Sequence, residues 1–281
     1  MFQTAYSVAK HFTWPVVLSR LSNGGRCSST IGAITILNED GWFLTAAHLF
    51  LMLDEMARGE ARALARETHT ATTASEDDPQ TDDTRRASAW WGRNDTRLVA
   101  AHYIQSVDLG VGRLQPFDPE WVAQYPVLKN PAVNFDPGTS LCRLGFPFHA
   151  IVPMYDAATG QFLLPEGSTP IPLFPLEGIL TRFGTIVQPP DSTFAYPLMQ
   201  IETSSPGLRG QSGGPILDVA GKLWGIQSVT RHLPLGFDPE VVDTGGSRRE
   251  HQFLNVGLGV HPVTIIGMLT ELGVRFDLSD D

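Results

Sequence analysis

The sequence predicts an all-β protein, a barrel or a sandwich, on three observations. Its apolar residues fall in short runs of four to nine, rich in Val, Ile, Leu and Phe. The 27 glycines and 21 prolines are spread along the whole length and punctuate those runs. No regular alternation of strand-like and helix-like segments is present, so a parallel α/β sheet is not expected.

In chain order the expected strands are 30–37, 42–45, 97–104, 109–114, 140–145, 179–187, 196–202, 214–217, 223–229 and 255–260. Most are bounded by Gly, Pro, Asp or Asn, the residues that favour turns. Two stretches break the rhythm. Residues 49–68, LFLMLDEMARGEARALARET, are good helix formers. Residues 71–86 then carry five acidic side chains and almost nothing to bury, which predicts a solvated acidic loop. Near the C-terminus, residues 262–273 place Ile265, Ile266, Met268, Leu269 and Leu272 on one helical face, with Pro at the first turn and Gly past the end. Segment 115–136 holds four prolines and two aspartates and marks the expected boundary between an N-terminal half, 1–120, and a C-terminal half, 121–281. Residues 158–162 and 164–175 read as long loops of the second half. Trp90 and Trp91 read as packing residues of the first.

Length and composition narrow the function. With 281 residues and 42% hydrophobic content the chain can bury a substantial core. A formal charge of −10 argues against a nucleic-acid surface, which needs clustered positive charge. No apolar run is long enough for a bilayer-spanning helix, and the first twenty residues lack the pattern of an export signal. Two cysteines cannot build a disulfide framework, and the expectation is a reduced, cytoplasmic protein without a membrane partner. The histidines show no ligand spacing and no cysteine pair joins them, so no metal site is expected.

Three short segments carry chemistry. Gly210-Gln211-Ser212-Gly213-Gly214-Pro215 places a serine in a glycine-rich turn. A serine hydroxyl needs a base and an oxyanion site to act as a nucleophile, and the backbone N–H groups of Gly210 and Ser212 are the candidate oxyanion donors. In Thr45-Ala46-Ala47-His48 an apolar strand runs into two small residues and an imidazole, the side chain best suited to proton transfer near neutrality. In Asp108-Leu109-Gly110-Val111-Gly112 a carboxylate heads an apolar strand, where it can orient an imidazole. Singly, each has a plain reading: a glycine-rich hairpin, a buried histidine, a turn aspartate. Together they supply nucleophile, base and orienting group.

TAAH around His48, DLGVGRL around Asp108 and GQSGGP around Ser212, in that order, resemble the chymotrypsin-like serine peptidases. The weaker matches LGFP at 144–147, EGIL at 177–180, GKLWGIQSV at 221–229 and the terminal helix extend the resemblance over roughly residues 32–273, with 49–89 as an insertion. The pattern is nearest the bacterial HtrA-like branch, without the PDZ domain that often follows there. The resemblance implies two packed six-stranded antiparallel β-barrels with the cleft between them. It implies His48, Asp108 and Ser212 as catalytic residues, a protein or peptide substrate, and no cofactor.

Two departures matter. Where secreted members carry an aspartate before the nucleophile, Gln211 stands here, so activity is expected without N-terminal cleavage. Ordering of the loop ahead of Ser212 by an activating protein partner is a further expectation. By analogy the specificity pocket has Pro206 at its base and Ser228, Val229 and Thr230 as walls. With no acidic residue there, cleavage after a small or medium apolar residue is expected. The function expected is a serine endopeptidase performing limited intracellular proteolysis. Its alternatives are an inert binding module on a protease fold and an esterase using the same three groups.

Overall fold

The structure is a computed structural model and describes residues 1–69, 84–188, 194–237, 240–243, 246–249 and 252–281. The first half runs α1 (Gln3–Phe12), β1 (Thr13–Ser22), β2 (Cys27–Ile36), β3 (Trp42–Ala46), α2 (Ala47–His69), β4 (Thr84–Trp90), β5 (Arg97–Ile104) and β6 (Leu109–Gln115). The second runs β7 (Val127–Leu128), β8 (Ser140–Gly145), β9 (Met154–Asp156), β10 (Gln161–Leu163), β11 (Phe174–Thr185), β12 (Met199–Thr203), β13 (Pro215–Leu217), β14 (Leu223–Pro234), β15 (Glu240–Asp243), β16 (Gly246–Arg249), β17 (Phe253–Val260), α3 (Pro262–Glu271) and β18 (Asp277–Leu278).

Two sheets result. The second-half strands close on themselves in the order β13-β8-β11-β12-β17-β14, because β13 pairs with both β8 and β14; β7 and β18 extend the β14 side in parallel. The first-half sheet is a curled six-stranded β4-β1-β2-β3-β6-β5, in which β4 and β5 are not paired among the described residues. The all-β, double-barrel architecture expected from the sequence is therefore present, with the first barrel left as an open half. The opening lies where the insertion enters: α2 packs against β4, β5 and β6. The acidic segment 71–83 lies outside the described residues.

Sequence dictates much of this locally. In β1, the apolar residues Val16, Val17 and Leu18 are buried, and β2 and β4 pair on either side. Pro15 lacks an N–H, yet interrupts no ladder. Its β2 partner Ala33 sends its N–H outward to Ser212, so Pro15 faces the β4 side, and β4 pairing begins only at Val17. Phe12, Leu18, Ile34, Ile36, Phe43 and Leu44 are fully buried in one core with Trp91, whose ring lies against Phe43 and Phe50. The second barrel adds its own core around Phe135, Leu141, Ile201 and Trp224. Cys27 on β2 and Cys142 on β8 are unpaired, as expected from their separate halves; burial pushes the Cys142 thiol up to about 11.

The terminal helix α3 is capped by a histidine. His261 Nδ1 accepts the Val263 N–H at 3.0 Å, and its ring packs on Phe135 and Phe183. An acceptor at Nδ1 and near-complete burial both need the neutral ring, and burial lowers the His261 pKa to about 4. A base whose folded-state pKa is depressed makes the unfolded chain bind more protons between pH 6.5 and about 4. The stability this histidine confers is thus full above pH 6.5 and lost as pH falls to about 4. We expect wild type to lose about 3 kcal/mol more than His261→Asn across that window, since asparagine caps without titrating. Urea unfolding at several pH values measures this, and parallel profiles for the two proteins would contradict it.

Candidate active site

The three sequence motifs meet in the groove between the sheets. β3 delivers His48 at the start of α2, the turn before β6 delivers Asp108, and the turn before β13 delivers Ser212. β3 pairs with β6 so that Ala46 lies opposite Leu109, which sets His48 and Asp108 side by side.

Asp108 sits in the left-handed region, φ 61°, which a short polar side chain tolerates better than most. Five bonds hold it there, the first from its own N–H to the Gln105 carbonyl at 3.2 Å. Its carbonyl accepts the Ala47 N–H at 3.1 Å, and Oδ1 accepts the His48 backbone N–H at 2.9 Å. Its carboxylate takes the His48 Nδ1 proton, at 2.9 Å to Oδ2 and 3.1 Å to Oδ1, and Oδ2 also accepts the Ser228 hydroxyl at 2.6 Å. An imidazole bound this way has its proton on Nδ1 and its lone pair on Nε2, the tautomer that can receive a proton from a neighbouring hydroxyl.

The Ser212 turn is docked on the first sheet through its main-chain carbonyls. Ala33 N–H donates to the Ser212 carbonyl at 2.8 Å and Thr35 Oγ1 to the Gly213 carbonyl at 3.1 Å. Gly213 has φ 84°, and a Cβ there would collide with the Ala33 carbonyl and Thr45 Oγ1, so the close approach of the sheets requires glycine. Gly210 has φ 97°, and a Cβ would run into the Phe146 carbonyl. The peptide after Gly210 is fixed at both ends: its carbonyl accepts Phe146 N–H at 2.8 Å and Gln211 N–H donates to the Leu208 carbonyl at 2.9 Å. The Gln211 side chain is fully buried and its Oε1 accepts Leu208 N–H at 3.0 Å, so a neutral amide clamps this loop. Among the described residues, neither the Gly210 nor the Ser212 N–H has a protein acceptor, and such a pair can receive an oxyanion.

The Ser212 hydroxyl donates to the Ser228 carbonyl at 3.4 Å, and no hydrogen bond joins it to His48. The two side chains share the walls of both cavities that flank them. One, of about 580 Å³, is bounded by Ser228, Val229, Thr230, Gly207 and Leu208; the other, of about 390 Å³, by Ser29, Thr30, Phe146 and His149. The expected pocket walls Ser228, Val229 and Thr230 do line the first cavity. Pro206, expected at its base, does not: Thr230 Oγ1 holds the Gly207 carbonyl at 2.6 Å and brings Gly207 to the wall instead. Further residues line it that the sequence did not signal, Gln200 and Gln227 among them. Ser228 has a second place the motifs did not signal, as donor to Asp108. Among the described residues no three His, Cys, Asp or Glu side chains cluster to hold a metal ion.

The trypsin-like peptidase domain matches residues 32–226, a span that contains His48, Asp108 and Ser212. The chain belongs to the trypsin-like peptidase family. Among solved structures, an HtrA-type protease, AlgW with decapeptide, is similar over 97% of this chain at 15% identity and TM-score 0.51. AlgW with tripeptide is similar over 98% at 16% identity and TM-score 0.48. This trypsin-like chain spans 67% and 65% of those two chains respectively, and the first likeness extends to the fold. No curated protein matches the sequence.

Proposed function

We propose that this protein is a serine endopeptidase cutting protein substrates by way of an acyl-enzyme. The arrangement of the His48–Asp108 pair beside Ser212, with two unoccupied backbone N–H groups at Gly210 and Ser212, carries the reading. A turn about the Ser212 Cα–Cβ bond takes the hydroxyl from the Ser228 carbonyl toward His48. Ser212 Oγ then attacks the scissile carbonyl while His48 Nε2 takes its proton, and the oxyanion forms against the Gly210 and Ser212 N–H groups. His48 returns the proton to the leaving amine. Water, activated by the same imidazole, hydrolyses the ester and frees Ser212. Asp108 holds the ring and stabilises its charged form.

The setting we propose is limited proteolysis in the cytoplasm, consistent with two unpaired cysteines in separate sheets. Burial of Gln211 as a neutral clamp supports activity without N-terminal cleavage, since no ionic partner is required. The Ser212 hydroxyl, resting on a carbonyl and not on His48, is the observation that favours the inert-module alternative. A fluorophosphonate decides between them. We expect stoichiometric labelling at Ser212, mapped by mass spectrometry, and new peptide termini when the protein meets unfolded casein. An unlabelled Ser212 and intact casein would leave the binding module; labelling with ester turnover and intact casein would leave the esterase.

A further inference from the structure

The cavity on the Ser228–Thr230 side of Ser212 counts two glutamines, Gln200 and Gln227, among its lining residues. Gln227, on β14, is 1% exposed and is fixed by backbone bonds to the nucleophile turn, Gly213 N–H donating to its carbonyl and its own N–H to the Gly214 carbonyl, both at 2.8 Å. Its side-chain Nε2 donates to the Val229 carbonyl at 3.4 Å. Its Oε1 is buried and has no partner. Turning the amide over would set Oε1 against the Val229 carbonyl oxygen, so the bare acceptor is the stable orientation. Gly207 makes room for this side chain, since a Cβ on it would collide with Gln227 Nε2. Gln200, on β12 and nearly buried, lines the same cavity, and its amide makes no hydrogen bond among the described residues. A buried acceptor without a donor is unfavourable until a ligand supplies one.

We propose that this cavity selects a carboxamide side chain, glutamine or asparagine, on the substrate residue preceding the scissile bond. The inference rests on the peptidase reading above and replaces the apolar preference expected from sequence. A carboxamide donates its NH2 to Gln227 Oε1 and offers its oxygen to the Gln200 amide. An aliphatic side chain would leave both glutamines unsatisfied. A lysine or arginine would find one carboxylate on the wall, Asp108, already engaged by His48 and Ser228. A carboxylate would meet the Gln227 oxygen, and the arginine lining the cavity, Arg209, is exposed. Serine or threonine brings a single oxygen to both glutamines, where a carboxamide brings a separate donor and acceptor.

The test is a peptide library varied at that single position, with active enzyme counted by fluorophosphonate titration in the same preparation. Glutamine or asparagine should exceed methionine and leucine in kcat/KM by at least about tenfold, because a site with buried hydrogen-bonding groups discriminates strongly against a substrate that lacks them. Gln227→Leu should lower the glutamine-to-methionine ratio by at least about tenfold; should that variant not fold, the wild-type profile decides alone. A wild-type preference for aliphatic, basic, acidic or hydroxyl side chains overturns the proposal and upholds the peptidase. Labelling of Ser212 without cleavage of any peptide overturns the carboxamide selection. The absence of both labelling and cleavage overturns the peptidase reading itself.

Discussion

Ser212→Ala is expected to lower kcat on unfolded casein by about a million-fold, the loss seen when a nucleophile is removed from a group of residues that act as a unit. The hydroxyl is the one atom changed. The backbone N–H stays, so oxyanion stabilisation is retained and leaves a residual rate above that in water. Folding should be almost unaffected. The hydroxyl makes a single 3.4 Å bond, to the Ser228 carbonyl, while the turn is held by Ala33, Thr35 and Gln227 through the main chain. A stability change within about 0.5 kcal/mol is therefore expected, and urea unfolding alongside the casein assay separates lost chemistry from lost structure. A variant retaining a tenth of the wild-type rate would place the nucleophile elsewhere.

The catalytic candidates were legible in the sequence because each combines a reactive side chain with small neighbours that only a tight turn or close packing explains. The helix at Ala47–His69, the terminal helix and the free thiols were legible for equally local reasons: composition, periodicity and count. α1 and β1 were not anticipated. α1 carries its burial on Ala5, Ala9 and Phe12, a sparse pattern, and β1 holds a proline, whose cost vanishes only because its neighbour strand starts pairing two residues later. The open first sheet depends on where α2 lies in space, which no local pattern encodes.

The pocket was least legible, and the reason is chemical. A glutamine in a strand reads as an ordinary surface position, so Gln200 and Gln227 carried no signal, although both are nearly buried. What makes Gln227 meaningful is a buried, unpaired side-chain oxygen on a residue that lines the cavity beside Ser212, and that is a property of packing. Family analogy puts Pro206 at the pocket base, whereas Gly207 lines the cavity, its carbonyl held by the Thr230 hydroxyl across it. Ser228 was read for its position along the cavity, and the bond from its hydroxyl to Asp108 belongs to the fold of β14 over the first sheet.

Asp108→Asn should cost about 10⁴ in kcat near neutral pH while leaving the protein folded. Asparagine is at ease at the φ of 61° that this position imposes, so the backbone gains no strain. The His48 main-chain N–H, 2.9 Å from Oδ1, demands an oxygen there. The new NH2 is thus directed to the Oδ2 position, 2.9 Å from His48 Nδ1 and 2.6 Å from the Ser228 hydroxyl. Ser228 can rotate its proton away and accept. His48 can satisfy the amide only by presenting its Nδ1 lone pair, which moves the ring proton to Nε2 and removes the acceptor Ser212 needs. The imidazolium formed in the reaction also loses its counter-charge. Casein turnover and the rate of fluorophosphonate labelling should fall together, since both need the base, while the melting temperature stays close to wild type. A loss of less than about tenfold would mean that another group orients His48.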